Sequence, residues 1–274
     1  MARFSLGRFI SLALAAPLMA LAASPADAGV GDLLVAPTRI VLNGSRGTEI
    51  ILNNIGEDVA TYRVSAELRR MTPEGKLEDV ATPNEQEKAA RDMVLFAPRR
   101  VTLPPNQPQA IRLSARAPDG LPDGEYRIHL LFRAIPAPQP VAAPQKVDGV
   151  AFQLRPIYGV TIPVIVRLGT LEAKAALSNI RKVTDGGKPA ISLDISRSGN
   201  RSTFGEIRVY KAGVAEPIAT VAGIAVYTEI GQRSVIVPID PSRVANAAGE
   251  VTVQYVEPTD TGPVTIAETS AVLR

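Results

Sequence analysis

The chain has 274 residues, with 30 Lys and Arg against 27 Asp and Glu, and a formal net charge of +3. A charge this small and this evenly scattered does not favour a nucleic-acid partner. Because the sequence has no cysteine and one histidine, it excludes a disulfide framework, a thiolate metal site and a lipid-modified cysteine. We expect a protein stabilised by its apolar core, with no metal and no cofactor.

The N-terminus has the pattern of an export signal. Arg3 and Arg8 precede an apolar run over residues 9–23, and a small-residue triplet, Ala-Asp-Ala, ends at Ala28. This pattern predicts a signal peptide over residues 1–28 that is cleaved after export. Because the apolar run is shorter than the ~20 residues of a spanning helix, an uncleaved anchor is the less favoured alternative.

The rest of the chain alternates apolar and polar residues in short runs between Pro, Gly, Asn and Asp clusters, which is typical of an antiparallel all-β protein. The clearest predicted strands of the first half are 35–42, 49–52, 62–69, 109–115 and 125–135. Those of the second half are 191–195, 206–210, 224–227, 234–239, 251–256 and 264–272. One loop helix is predicted over 84–93, where Asn84 is a capping residue ahead of Glu85 and Glu87.

The predicted strands form two groups, before and after residues 167–169. A β-sandwich of about 100 residues needs about seven short strands, and each group supplies roughly that number. We therefore predict an N-terminal β-sandwich domain over 29–168 and a C-terminal β-sandwich domain over 169–274.

The most unusual segment is 152–167. Every even position in it is apolar or proline, which predicts one strand about three times the usual length of ~5–6 residues. Pro156 and Pro163 have no amide hydrogen and therefore favour an edge strand. A long apolar edge is normally suppressed as an aggregation hazard, so its presence favours a strand that pairs with a partner. The alternative is an ordinary core strand preceded by a twisted loop.

Four stretches of the first half resemble the PapD-like pilus-assembly chaperones, in the order of that family. They are PTRIVLNG at 37–44, PRRVTLPP at 98–105 leading to QAIR at 109–112, LPDGEYR at 121–127 running to FRAIP at 132–136, and the long strand ending in Arg167. The second half is similar to the family only in class.

The resemblance implies two immunoglobulin-like β-sandwich domains in an L-shaped arrangement. It also implies a periplasmic, non-enzymatic chaperone of the chaperone-usher pathway, with pilus subunits and an outer-membrane usher as partners. Such a chaperone completes the open sandwich of a subunit with its own strand. By position and parity the donated residues would be Phe152, Leu154 and Tyr158, with Val160 at the join.

A first-strand arginine and a last-strand lysine clamp the terminal carboxylate of the subunit in this family. Arg39 matches the arginine, whereas the position of the lysine is Pro163. Either Arg112 or Arg155 supplies the second cation, or the geometry of the anchor has changed. The alternative for Arg39 is a surface ion pair beside a strand.

The family also has an ion cluster between its two domains. Glu125 and Arg167 fall on matching positions, and Asp260 in the loop 258–262 is a candidate third member. A partly buried cluster of this kind orients domains more than it stabilises them.

The residues that enzymes use are scarce in this sequence. His129 is expected to be exposed on a polar face, and Ser45 lies in a turn without the context of a nucleophile elbow. The carboxylate pairs Asp119–Asp123 and Glu250–Glu257 lack calcium-loop spacing, and no tryptophan is present to stack a sugar. Two alternatives to a chaperone remain: a secreted structural or adhesive β-sandwich, such as a pilus component, and a hydrolase on a β-sandwich.

Overall fold

The computed structural model describes residues 32–44, 46–136, 157–246 and 248–274. The predicted signal peptide and residues 152–156 of the long strand lie outside this part. The elements are β1 (Leu33–Ala36), β2 (Ile40–Asn43), β3 (Thr48–Asn54), β4 (Ala60–Glu67), β5 (Arg69–Met71), β6 (Leu77–Asp79), α1 (Glu85–Met93), β7 (Val94–Ala97), β8 (Arg100–Leu103), β9 (Pro108–Ala115), β10 (Gly124–Ile135), β11 (Gly159–Leu168), β12 (Ala173–Asp185), β13 (Lys188–Gly199), β14 (Thr203–Lys211), β15 (Ala219–Val226), β16 (Gln232–Pro238), a 3-10 helix (Pro241–Asn246), β17 (Gly249–Thr259) and β18 (Gly262–Leu273). This arrangement confirms the all-β prediction.

Apart from β5 and β6, which form a two-stranded sheet of their own, the strands form two sandwiches. The first has sheets of order β1-β3-β9-β7 and β2-β11-β10-β4-β8, and the second has sheets of order β12-β13-β16 and β15-β14-β17-β18. Each has its own buried apolar core, centred on residues such as Leu52 and Phe132 in the first and Leu193 and Tyr255 in the second. The strands of the first end at Leu168 and those of the second begin at Ala173; the domain limits of the sequence analysis stay predictions.

The predicted strand 35–42 is in fact two strands. β1 pairs with β3 in the four-stranded sheet, whereas β2 runs parallel to β11 in the five-stranded sheet. Val35 is buried in β1, and Ile40 and Leu42 are buried in β2. The buried positions change from odd to even because the chain crosses between sheets near Pro37.

The single α-helix of the described residues confirms its prediction. The Asn84 side chain accepts a hydrogen bond from the Glu87 backbone N–H at 2.8 Å, and the Glu87 carboxylate accepts one from the Asn84 N–H at 2.8 Å. This reciprocal capping box satisfies two backbone donors at the start of the helix. No helix in the described part of the chain is long and apolar enough to cross a membrane.

The long strand is shorter in the structure than predicted, since β11 begins at Gly159. It is also only partly an edge. Its second half pairs with β2 from Val164 to Arg167, whereas from Gly159 to Pro163 the only neighbouring strand among the described residues is β10. We call residues 159–163 the open edge of β11.

The backbone of the open edge points in a defined direction. The Ala134 N–H donates to the Tyr158 carbonyl at 3.0 Å, so the even residues of β11 direct their N–H and C=O groups toward β10 and the odd residues direct them away. Thr161 therefore presents its backbone groups outward, and Pro163 presents only a carbonyl. Because the backbone of Pro163 points away from β10, the missing N–H group of Pro163 costs no hydrogen bond between β10 and β11.

Candidate functional site

The two sandwiches meet through an arginine and a glutamate. Both terminal nitrogens of Arg127 in β10 donate to the Glu229 carboxylate, at 2.6 and 3.0 Å, and one also donates to the Arg69 carbonyl at 2.8 Å. Glu229 accepts a further bond from the Met71 backbone N–H at 2.7 Å. The Arg127 side chain is 9% exposed and that of Glu229 is 23% exposed. This two-pronged geometry fixes orientation as well as distance.

Apolar contacts surround this ion pair. Met71, Ile165, Ala225 and Tyr227 form a buried cluster with residues from both sandwiches. The Arg127 guanidinium lies 3.6 Å above the centre of the Tyr227 ring, a favourable cation–π contact in a desolvated place. We call this contact region between the sandwiches the junction.

Glu125 and Arg167 come together at the junction. The Arg167 Nε donates to the Glu125 carboxylate at 3.1 Å, and the same oxygen accepts the backbone N–H of Ser202 in the second sandwich at 3.1 Å. Glu125 is buried, so its charge needs both donors.

Asp260 does not join this pair. It is exposed in the turn between β17 and β18 and makes no ion pair with another described residue. The nearby carboxylate that is paired is Glu257, which accepts two hydrogen bonds from Arg201 at 2.9 and 3.0 Å. The hairpin carries Asp260 beyond the junction into solvent.

Arg39 lies between the sandwiches, immediately before β2. Its guanidinium is 4.4 Å from the centre of the Phe204 ring and 5.9 Å from that of Tyr227, and Nη2 donates a long bond of 3.4 Å to the Ser202 hydroxyl. Its Nη1 is buried without a hydrogen-bond partner among the described residues. Burial lowers the pKa of Arg39, which Tyr227 and Glu125 offset in part. Arg39 is therefore not the surface ion-pair residue of the alternative hypothesis.

The position of the missing lysine, Pro163, pairs with His129 of β10. The expectation of an exposed His129 is wrong: it is 1% exposed, with its ring edge-on to Tyr227 at 6.3 Å between centres. Neither ring nitrogen has a partner among the described residues. Burial, reinforced by Arg127, Arg69 and Arg39, lowers the pKa of His129 to about 3. The imidazole is therefore neutral at neutral pH.

The structure separates the other predicted binding residues. Tyr158 is 55% exposed beside the open edge, and Val160 is half-buried against the first core. Phe152, Leu154 and Arg155 lie outside the described residues.

Arg112 is not near Arg39. It lies on β9, in the other sheet, and its exposed side chain faces Glu49 at 3.5 Å. Alternation along β9 turns Arg112 away from the core, so it cannot supply the second cation of the anchor.

Sequence reasoning missed Phe204, Tyr227 and Glu229, which come from the second sandwich. Nothing in their local pattern marks them, because their role depends on contacts across the junction. Arg127 had a detectable pattern, since it stands between Glu125 and His129 on one face of a single strand.

This arrangement suits two kinds of binding. A desolvated guanidinium with an unpaired N–H group attracts a carboxylate strongly. The open edge of β11 offers unpaired backbone groups to an added strand. The described residues contain no group of three or more His, Cys, Asp or Glu that could hold a metal ion.

Comparisons with known proteins found similarity only in structure. No family model and no curated protein sequence matches the chain. The solved structures it is similar to include the CupB2 chaperone of Pseudomonas aeruginosa, at 13% identity and a TM-score of 0.46 over 88% of this chain and 100% of that one. Another is the Salmonella enterica SafA pilin in complex with the SafB chaperone, at 16% identity and a TM-score of 0.46 over 89% and 98%. A third is the CsuC-CsuE complex of a chaperone and a tip adhesion subunit from Acinetobacter baumannii. Its sequence identity is 13% and its TM-score 0.43, over 88% of this chain and 97% of that one.

The buried neutral His129 predicts a pH-dependent stability. Its pKa is about 3 in the folded protein, against 6.5 for an ordinary histidine, so the unfolded chain binds the extra proton below about pH 6.5. The contribution of His129 to the free energy of unfolding is therefore fully present above about pH 6.5 and falls as the pH drops toward 3. Between pH 7 and pH 5 the loss amounts to about 2 kcal/mol. The substitution His129→Phe should remove this part of the pH dependence, as measured by urea unfolding at both pH values. Parallel losses in the two proteins would show that His129 is not buried in its neutral form.

Proposed function

We propose that this chain is a periplasmic chaperone that binds pilus subunits, stabilises them by donor-strand complementation and delivers them to an outer-membrane usher. The observation that carries the proposal is the open edge of β11 beside the incompletely bonded guanidinium of Arg39. The cleavable signal peptide predicted for residues 1–28 supports export. No chemical step is required.

The open edge supports pairing with a strand of the subunit. The backbone groups of Gly159, Thr161 and Pro163 point away from β10, as an added strand requires. The donated residues are Phe152, Leu154 and Tyr158, upstream of the part of β11 that holds its own sheet. Burying each such side chain contributes about 1.5–3 kcal/mol. Val160 lies at the join between the two parts.

Arg39 serves as the anchor for the terminal carboxylate of the subunit. Phe204 and Tyr227 keep water from one face of the guanidinium, which strengthens its attraction for a carboxylate. Arg127 does not replace the missing lysine, because both of its terminal nitrogens are bonded to Glu229. Arg155 remains a candidate for the second cation.

The pair of Glu125 and Arg167 orients the second sandwich. Glu125 binds the Ser202 N–H, and Phe204 follows Ser202 by two residues and lies over Arg39. The pair therefore acts on the anchor indirectly, by holding Phe204 in place. We assign the first domain to residues 29–168 and the second to 169–274.

The substitution Arg39→Ala tests the anchor. Loss of a charge-assisted hydrogen bond costs about 1.5–3 kcal/mol, so affinity for the subunit should fall about 10- to 150-fold. The partner to assay is a pilus subunit that co-purifies with this chain when candidate subunits are co-expressed with it in the periplasm, and its affinity is then measured by isothermal titration calorimetry. Arg112→Ala is the matched control and should bind normally. Unchanged affinity of the Arg39→Ala protein, or a weakening matched by an equal loss of thermal stability, would contradict the anchor role.

The double substitution Leu154→Asp and Tyr158→Asp tests the donated strand. The two carboxylates would have to enter the apolar groove of the subunit. Burying an unpaired charge costs several kcal/mol of binding free energy, so the double substitution should abolish co-purification of the subunit. The melting temperature should stay within about 2 °C of the original, since Tyr158 is exposed. The control is Leu34→Asp with Ile51→Asp, which changes two exposed residues of the other sheet. Undiminished co-purification would refute strand donation.

A further inference from the structure

Three arginines stand in a row across adjacent strands of the five-stranded sheet. Arg133 of β10 pairs in register with Arg63 of β4, which pairs with Arg100 of β8. All three are exposed; the residues on both sides of Arg133 and of Arg63 are buried, as is Val101, which follows Arg100 at the start of β8. The side chains therefore share the outer face of the sheet, which is the face turned away from the core. We call this set the arginine row.

The arginine row is unfavourable for the protein alone. Neighbouring strands are about 4.8 Å apart, and like charges directly opposite each other on a sheet are destabilising. None of the three forms an ion pair with another described residue. Because no carboxylate among the described residues neutralises the three arginines, their repulsion lowers the stability of the folded protein. An anion bound from outside would reduce this repulsion.

Two more arginines extend this basic surface. Arg63, Arg91 and Arg99 line one groove, together with Leu95 and Asp92. Asp92 is already paired with Arg91 at 3.1 Å, and the Arg99 guanidinium lies 5.0 Å from the centre of the Phe96 ring. No other carboxylate among the described residues lines the groove.

The arginine row lies on the same face of the sheet as the junction. Along β10, Arg133 follows Arg127 by six residues, which corresponds to roughly 20 Å at about 3.4 Å per residue. At the β10 end of the row, Arg133 pairs with Gly159 of β11, which is the first residue of the open edge. It therefore runs across the sheet to the open edge.

We propose that the arginine row is a second anion-binding surface, which takes acidic side chains of the same protein partner that Arg39 anchors. This inference rests on the proposed function. Three observations support a partner protein as the occupant: the row reaches the open edge, it shares a face with Arg39, and it lies about 20 Å from the junction, within the span of one bound domain. Arginine binds carboxylates through two parallel hydrogen bonds. The contact favours partners with acidic side chains at that distance from their terminal carboxylate.

The test compares two triple variants of equal charge. Arg63→Gln, Arg100→Gln and Arg133→Gln together remove the row. Arg181→Gln, Lys182→Gln and Lys188→Gln remove three exposed charges from the hairpin of β12 and β13. The probe is fluorescently labelled poly-L-glutamate, followed by anisotropy at low ionic strength and again near about 0.15 M salt, where the Debye length is about 8 Å. Loss of the row should weaken binding at least about tenfold at low ionic strength, and the control should bind like the original chain.

A second readout comes from stability. Arg63 is the central member, so Arg63→Gln removes both close repulsions and should raise the melting temperature by about 1–3 °C. The control variant Lys182→Gln should not change it.

The outcomes separate this inference from the proposed function. Equal weakening in both triple variants, or binding to phosphatidylglycerol vesicles without binding to poly-L-glutamate, would overturn the arginine row as a site for a protein partner. Arg39→Ala should leave binding of poly-L-glutamate intact. If the row variant loses poly-L-glutamate while no subunit is ever captured through Arg39, the anion surface stands and only the chaperone proposal fails.

Discussion

The ion pair between Arg127 and Glu229 is the constraint on which the rest of the site depends. It joins a strand of the first sandwich to a loop of the second, and Glu229 also accepts the Met71 N–H. With this contact in place, Tyr227 packs over Arg127, and both Tyr227 and Phe204 lie against Arg39. Breaking a buried pair leaves an uncompensated charge, so the junction is held together by the same groups that desolvate the anchor.

Successive side chains of β10 and β11 point to opposite faces of the five-stranded sheet, and the two faces make different contacts. Residues such as Ile128 and Val164 build the first core. On the outer face, Glu125, Arg127 and His129 meet the second sandwich, and farther along β10 Arg133 belongs to the arginine row. One strand therefore carries both the junction and, about 20 Å away, the basic surface. Because β10 and β11 are in register, the open edge extends from the first region to the second.

Local patterns predicted much of the fold. The strands and the capped helix follow from alternation and from Asn84, because these depend on neighbours in sequence. The crossing near Pro37 was not predicted, because residues 33–37 and 40–42 are apolar at odd and even positions alike, and only the burial of the side chains shows the change of face. Long-range contacts could not be predicted in this way. His129 was expected to face solvent because its side of β10 is polar, and only the second sandwich covers it. Arg112 and Asp260 were misplaced because sequence position does not specify the sheet or turn that displays a charge.

The central claim is that a partner strand pairs with the open edge of β11, and amide hydrogen exchange at Thr161 tests it most directly. Its N–H points away from β10, whereas the N–H of its neighbour Ile162 points toward β10. The account predicts fast exchange at Thr161 and slow exchange at Ile162 in the chain alone. With a bound subunit, exchange at Thr161 should slow by at least about 100-fold, since a hydrogen-bonded strand amide opens rarely. Exchange at Thr161 that stays fast in a saturated complex would contradict strand donation at this edge.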